Sequence, residues 1–196
     1  MRYDAAFYTR EEEVALRSAR HVMPYVLALT GARSVIDIGC GTGGWLSVAK
    51  EHGATVCGMD SYTGQHLLGE DEFIQCDIAN GVNCKNFDLA LCLEVGEHLV
   101  EGCAKSLVAG LCEAPYVLFS AGHPGQGGVH HVNEQWGTWW ADLFADHGYA
   151  GTNAVKWQFW NNREVADFYR ENMLLFAPSF PGDVVDVIHP ERLGEW

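Results

Sequence analysis

The chain has 196 residues, enough for one well-filled core and short for two, since domains cluster near ~100–150 residues. With 48% hydrophobic and 19% charged residues, it has the composition of a globular protein rather than a disordered tail. Its formal net charge of −14 repels the phosphates that supply most non-specific nucleic-acid affinity, which disfavours DNA or long RNA as a partner.

Residues 1–10 show no basic-then-apolar signal segment, and no apolar run approaches the roughly 20 residues that cross a bilayer. Seven cysteines are dispersed without a C-x-x-C pair. The expectation is a reduced, cytoplasmic chain with no membrane partner. Over 11–30, Val14, Ala15, Ala19, Val22, Met23, Val26 and Leu27 recur at helical spacing, with Pro24 predicting a kink near Met23. Short apolar runs at 34–38, 55–59, 72–76, 87–93 and 116–119 then alternate with helical stretches. A Trp-rich helix is expected over 133–147, stopped by Gly148, followed by strands at 154–160 and 173–177 around a short helix at 164–170. Apolar runs covered on both faces and joined by helical crossovers predict an α/β fold with a doubly wound, mostly parallel sheet of seven strands.

The sharpest motif is Val35-Ile36-Asp37-Ile38-Gly39-Cys40-Gly41-Thr42-Gly43-Gly44, an apolar strand entering a glycine-rich turn that opens a helix near Trp45. Glycines serve where backbone must turn tightly and approach a ligand closely. Gly39, Gly41 and Gly44 also satisfy the G-x-G-x-x-G dinucleotide pattern, so a nicotinamide-dependent oxidoreductase is a rival reading. Asp37 argues against it, because a carboxylate at that strand end opposes a pyrophosphate but suits the cationic methionine end of S-adenosylmethionine.

The segment from Asp37 to Gly43 resembles the first motif of class I methyltransferases, and the match extends in order over roughly residues 30–120. The resemblance implies a Rossmann-like methyltransferase sheet and a donor site of Asp37, Gly39, Cys40, Gly41 and Gly43. It implies further that Asp60, with Ser61 beside it, binds the ribose hydroxyls, that Asp77 and Ile78 meet the adenine, and that Glu94 lies where donor and acceptor approach. The expected organisation is one domain over 1–196: an N-terminal helix and lid at 1–30 in which Tyr3, Phe7 and Tyr8 cover the cofactor, a cofactor-binding half at 31–120, and an acceptor loop with C-terminal strands at 121–196.

Glu94-Val95-Gly96-Glu97-His98 places Glu97 and His98 on the first turn of a helix, and this E-x-x-E-H stretch is similar to the metal-binding segment of small-RNA 2′-O-methyltransferases and quinone-biosynthesis O-methyltransferases. Two carboxylates and an imidazole suit a divalent cation that lowers the pKa of a hydroxyl. Glu94, Glu97, His98 and His131 are the expected metal ligands. In the metal-free alternative, Glu97 caps the helix and His98 lines the pocket. The segment 120–136 is rich in glycine and histidine and follows the fifth strand; His123, Asn133 and Trp136 are expected to hold substrate, with His98, His130, His131 and Glu94 as the catalytic candidates. Trp136, Trp139 and Trp140 either wall the pocket or pack the core. The reading is transfer of a methyl group from S-adenosylmethionine to a small-molecule hydroxyl, assisted by a histidine base or a metal; an RNA-end methyltransferase is the alternative that the motif raises and the charge opposes.

Overall fold

The computed structural model describes residues 5–61 and 64–192, and the side chains of 12–61 and 64–191. In α1 (Ala5–Thr30), Ala19, Val22, Met23 and Val26 are fully buried at three-and-four spacing, so one stripe faces the core. Pro24 lies inside this helix without ending it. Val35, Ile36 and Ile38 make β1 (Ser34–Ile38) apolar on both faces, as a central parallel strand requires. The chain continues through α2 (Gly44–Glu51), β2 (Thr55–Asp60), β3 (Phe73–Gln75), β4 (Leu89–Leu93), α3 (Ala104–Leu111), β5 (Tyr116–Ser120), α4 (Gly137–Ala145), β6 (Ala150–Thr152), α5 (Ala154–Phe159), α6 (Asp167–Asn172) and β7 (Leu174–Ala177).

The sheet has seven strands in the order β3-β2-β1-β4-β5-β7-β6. Strands β1 to β5 are parallel, and β7 runs antiparallel to both β5 and β6. One apolar layer joins α1, α2 and Val155, Phe159 and Tyr169 of α5 and α6; the opposite layer joins α3 with Trp140 and Phe144 of α4. Order reverses between β1 and β4, so a crevice forms outside their carboxyl ends, where open α/β sheets bind ligands. The methyltransferase resemblance holds at the level of this fold. Among the described residues, no helix is long and apolar enough to cross a membrane.

Three sequence expectations are corrected. Residues 154–160 form α5 rather than a strand: Val155 and Phe159 are buried four residues apart while Trp157 is 47% exposed, so the alternation of apolar residues was a helical face with one outlier. The sixth strand is instead Ala150–Thr152, short and built on Gly151, which packs against Phe176. The helix expected from 133 begins only at Gly137, because Val132 and Asn133 donate their amides to the Glu97 carbonyl and Gln135 donates to Gly122. Glu97 and His98 lie on a 3-10 turn (Gly96–His98), with Leu99 already extended, not on an α-helix. Tyr3 and the side chains of Phe7 and Tyr8, expected as a lid, lie outside the described residues.

Candidate active site at the carboxyl edge of the sheet

The glycine loop leaves β1 and is clamped to β2: Gly39 and Cys40 donate to the Met59 carbonyl, and Gly41 donates to an Asp60 carboxylate oxygen at 2.7 Å. Gly41 and Gly43 have φ of 54° and 85°, in the left-handed region that favours glycine, and Gly43 is the N-cap of α2. A Cβ added at Gly41 would meet nothing within 4 Å, whereas one at Gly43 would press Leu68 at 2.7 Å. The loop is thus open at its tip and packed at its base.

Asp37 is 2% exposed beneath this loop. Burial, and then the nearby Asp60, push its carboxyl up to about 8. A buried acid in this state is relieved by a cation, which fits the ammonium and sulfonium of S-adenosylmethionine. Burial and the same two carboxylates push the Cys40 thiol far up, so Cys40 is inert packing. Ser61 is exposed just beyond β2, and Asp77, also exposed, spends one oxygen capping the turn at Ile78–Asn80 through the Ala79 amide, while Ile78 is half-buried against the core. The structure therefore brings Asp37, Gly39, Cys40, Gly41, Gly43 and Asp60 to one place, with Asp77 and Ile78 beyond the neighbouring strand.

At the end of β4, Glu94 has φ of 55°, a strained geometry for a residue with a side chain. Its amide donates to the Ser120 carbonyl and hydroxyl, and its carboxylate accepts from Asn172 at 3.2 Å. Burial and then Glu97 hold its carboxyl well above the usual range. Two residues on, Gly96 passes against the Trp140 ring so closely that a Cβ there would sit 2.7 Å from it; only glycine lets the turn bearing Glu97 and His98 seat on the core.

Glu97 is fully buried, and no N–H or hydroxyl donor reaches either carboxylate oxygen; its polar neighbour is the Glu94 carboxyl. That is a costly arrangement without a ligand. Ligand atoms of Glu97, His98 and His131 all lie within 4.8 Å of one another. The His98 and His131 rings meet edge to face at 4.9 Å. Desolvation lowers the His98 pKa, against the pull of Glu97. His131 Nδ1 lies 3.0 Å from a Glu134 oxygen, while Gly125 and Gly127 donate to the same carboxylate. Partial burial opposes ionisation of Glu134, yet those three hydrogen bonds win and hold its carboxyl low. A carboxylate that takes Nδ1–H leaves Nε2 as the lone-pair atom, the arrangement common behind histidine ligands. The donor set of one carboxylate and two imidazoles fits a borderline divalent cation. Glu94, expected as a fourth ligand, is not among the three residues whose ligand atoms lie mutually within 4.8 Å, although its carboxyl neighbours that of Glu97 and also accepts from Asn172.

The remaining candidates divide. His130 is exposed with φ of 64°, and its backbone pairs with His98. His123 is buried and stacked on Trp136 at 5.6 Å, the planes 5° apart. Asn133 is buried with its amide bridging the Gly96 carbonyl and Gln135, so it fastens the loop to the Glu97 turn. Trp140 is core, packed on Phe119, whereas Trp136 is 36% exposed. Sequence reasoning missed Glu134, Gln126, Lys156, Glu171 and Asn172. Only Glu134, three residues after His131, carried a spacing signal.

A methyltransferase-domain family model matches residues 8–174. No curated protein sequence matches the chain. Among solved structures, the fold is similar to human N-acetylserotonin methyltransferase in complex with SAM, at TM-score 0.60 and 16% identity over 89% of this chain and 55% of that one. It is similar also to magnesium protoporphyrin IX methyltransferase from Synechocystis PCC 6803 with bound SAM, at TM-score 0.57 and 19% identity over 91% and 87%. A third is the methyltransferase domain of bacterial CtHen1-C, at TM-score 0.56 and 19% identity over 83% and 98%. The chain spans about half the length of the human enzyme. With the family match covering most of the sequence and the fold agreeing, the chain belongs to the class I S-adenosylmethionine-dependent methyltransferases.

Proposed function

We propose that this methyltransferase moves its methyl group onto a hydroxyl oxygen of a small acceptor, with Glu97, His98 and His131 holding a divalent cation beside that oxygen. The observation that carries the reading is the buried Glu97 carboxyl, reached by no N–H or hydroxyl donor and within 4.8 Å of ligand atoms of two imidazoles. A cation there would supply Lewis acidity that lowers the pKa of the acceptor hydroxyl.

The chain's own residues do the positioning. Asp37 and the Gly39–Gly43 loop are proposed to hold the methionine end of the donor, and Asp60 the ribose, with Asp77 and Ile78 toward the adenine. Transfer is an in-line displacement: the acceptor oxygen bonds the methyl carbon while the carbon–sulfur bond breaks and the sulfonium leaves as a neutral thioether. Alignment of the two reactants is then the main catalytic effect. Glu134 holds the His131 ring and Asn133 the loop, and His130 is proposed to receive the hydroxyl proton.

The test supplies the protein with donor carrying a carbon-13 methyl group and a small-molecule fraction of a cell extract. The labelled carbon should appear as a methoxy group by its NMR shift, and His98→Ala or His131→Ala should lower the yield by about tenfold to a thousandfold, the range spanned by losing a metal ligand or a general base. Label arriving on nitrogen or carbon, at a rate indifferent to both histidines, would contradict the oxygen assignment.

A further inference from the structure

Asn172 ends α6, is buried, and joins Glu94 to the loop that carries His131. Its Nδ2 donates to Glu94 Oε1 at 3.2 Å and Oε2 at 3.4 Å, and to Gln126 Oε1 at 3.0 Å. The neighbours dictate these roles. The His123 backbone amide, which can only donate, reaches the same Gln126 oxygen at 3.2 Å, so Gln126 presents its carbonyl and Asn172 must present its NH2 group. Two N–H bonds serve both partners, one directed at the Glu94 carboxylate and the other at Gln126.

From Gln126 the bonding runs on. The Gln126 amide closes a turn on the His123 carbonyl, while Gly125 and Gly127 on either side donate to the Glu134 carboxylate at 2.9 Å. That carboxylate holds His131 Nδ1 at 3.0 Å. At the other end of the path, the Glu94 carboxyl neighbours that of Glu97. Glu97 and His131 are thus joined through Glu94, Asn172, Gln126 and Glu134, a route separate from the Val132 and Asn133 amides that bind the Glu97 carbonyl. Gly125 and Gly127 both have left-handed φ and no side chains to pack, so the position of this stretch is set by its hydrogen bonds. Asn172 is a firm anchor for them, because β7 follows at once and all four of its residues are buried. Resting on the cation reading above, we infer that Asn172 is a positioning residue: it pins the acceptor loop to the end of the sheet and so keeps His131 at ligand distance from Glu97.

Asn172→Leu and Gln126→Leu cut this link from its two sides, and two readouts follow it: paramagnetic resonance of added Mn2+ and hydrogen exchange at the Gly125 and Gly127 amides. Each variant should bind Mn2+ about tenfold to a hundredfold more weakly, the cost typical of removing a support behind a metal ligand. The two glycine amides should exchange about tenfold faster, as the loss of one hydrogen bond allows. The double variant should be no worse than either single one, because the link breaks only once. Amides of β1 and β2 that exchange as in the parent certify the fold; should Asn172→Leu fail that check, Gln126→Leu, at a half-buried loop position, carries the test alone. Parent-like Mn2+ affinity or parent-like glycine exchange in a folded variant, or losses that add in the double variant, would overturn the inference. The two readings separate. A parent chain that binds no Mn2+ removes the cation reading; faster glycine exchange in the variants then still upholds Asn172 as the fastener of the loop, and unchanged exchange removes that as well.

Discussion

Asp37→Asn is expected to weaken S-adenosylmethionine by roughly 1–3 kcal/mol while making the ligand-free protein more stable at neutral pH. The two effects share one cause. Asp37 is buried, and its carboxyl titrates near 8 rather than 3.8, so folding at pH 7 requires taking up a proton or burying a charge. Because the folded value is raised, its stabilising contribution is full below about pH 4 and is lost as pH rises through about 8. Asparagine has no such titration. The stability difference, variant minus parent, should therefore grow between pH 4 and 8 and level off above, read by denaturant melts across that window. Donor binding to the parent at pH 7 should also release a proton from Asp37, visible as a buffer-dependent heat in calorimetry and absent in the variant. A variant that binds the donor as tightly as the parent would remove Asp37 from the donor site.

Glu97→Met is expected to abolish Mn2+ binding and lower turnover at least about a hundredfold, while raising the stability of the metal-free protein by ~1–3 kcal/mol. Methionine has nearly the length of glutamate and no oxygens to leave unpartnered in a fully buried position. Gain of stability with loss of function marks a residue kept for its ligand. Paramagnetic resonance of added Mn2+ separates the outcomes: a variant that binds the ion like its parent would place the cation elsewhere, and a variant less stable than its parent would make Glu97 a packing residue.

Much of the donor half was legible because its signals are local. Five strands announced themselves as apolar runs, and Asp37, Gly39, Gly41 and Gly43 sit in one turn whose conformation glycine dictates. The acceptor half was less legible for physical reasons. Val155, Trp157 and Phe159 alternate like a strand, and nothing local says that Trp157 faces outward. Lys156 reads as a surface lysine on any assignment, and only tertiary packing buries it. Asn172 reaches Glu94 across 78 positions of sequence, a distance over which no spacing argument operates. The left-handed backbone at Glu94 likewise has no signature, because glutamate does not favour it and the surrounding fold imposes it. The E-x-x-E-H motif did indicate a cluster: ligand atoms of Glu97, His98 and His131 lie within 4.8 Å of one another, and Glu94 sits beside Glu97 while also accepting from Asn172.

The measurement that bears most directly on the account is turnover of thoroughly demetallated protein, followed as labelled methyl transferred from S-adenosylmethionine to the small-molecule fraction of a cell extract. The account predicts that donor binding by calorimetry survives chelation, because the glycine loop and Asp37 belong to β1 and the turn after it and not to the Glu97, His98 and His131 cluster, while transfer stops and returns on adding Mn2+ or Mg2+. Full transfer by the demetallated protein, indifferent to added cation, would contradict the role given to Glu97, His98 and His131.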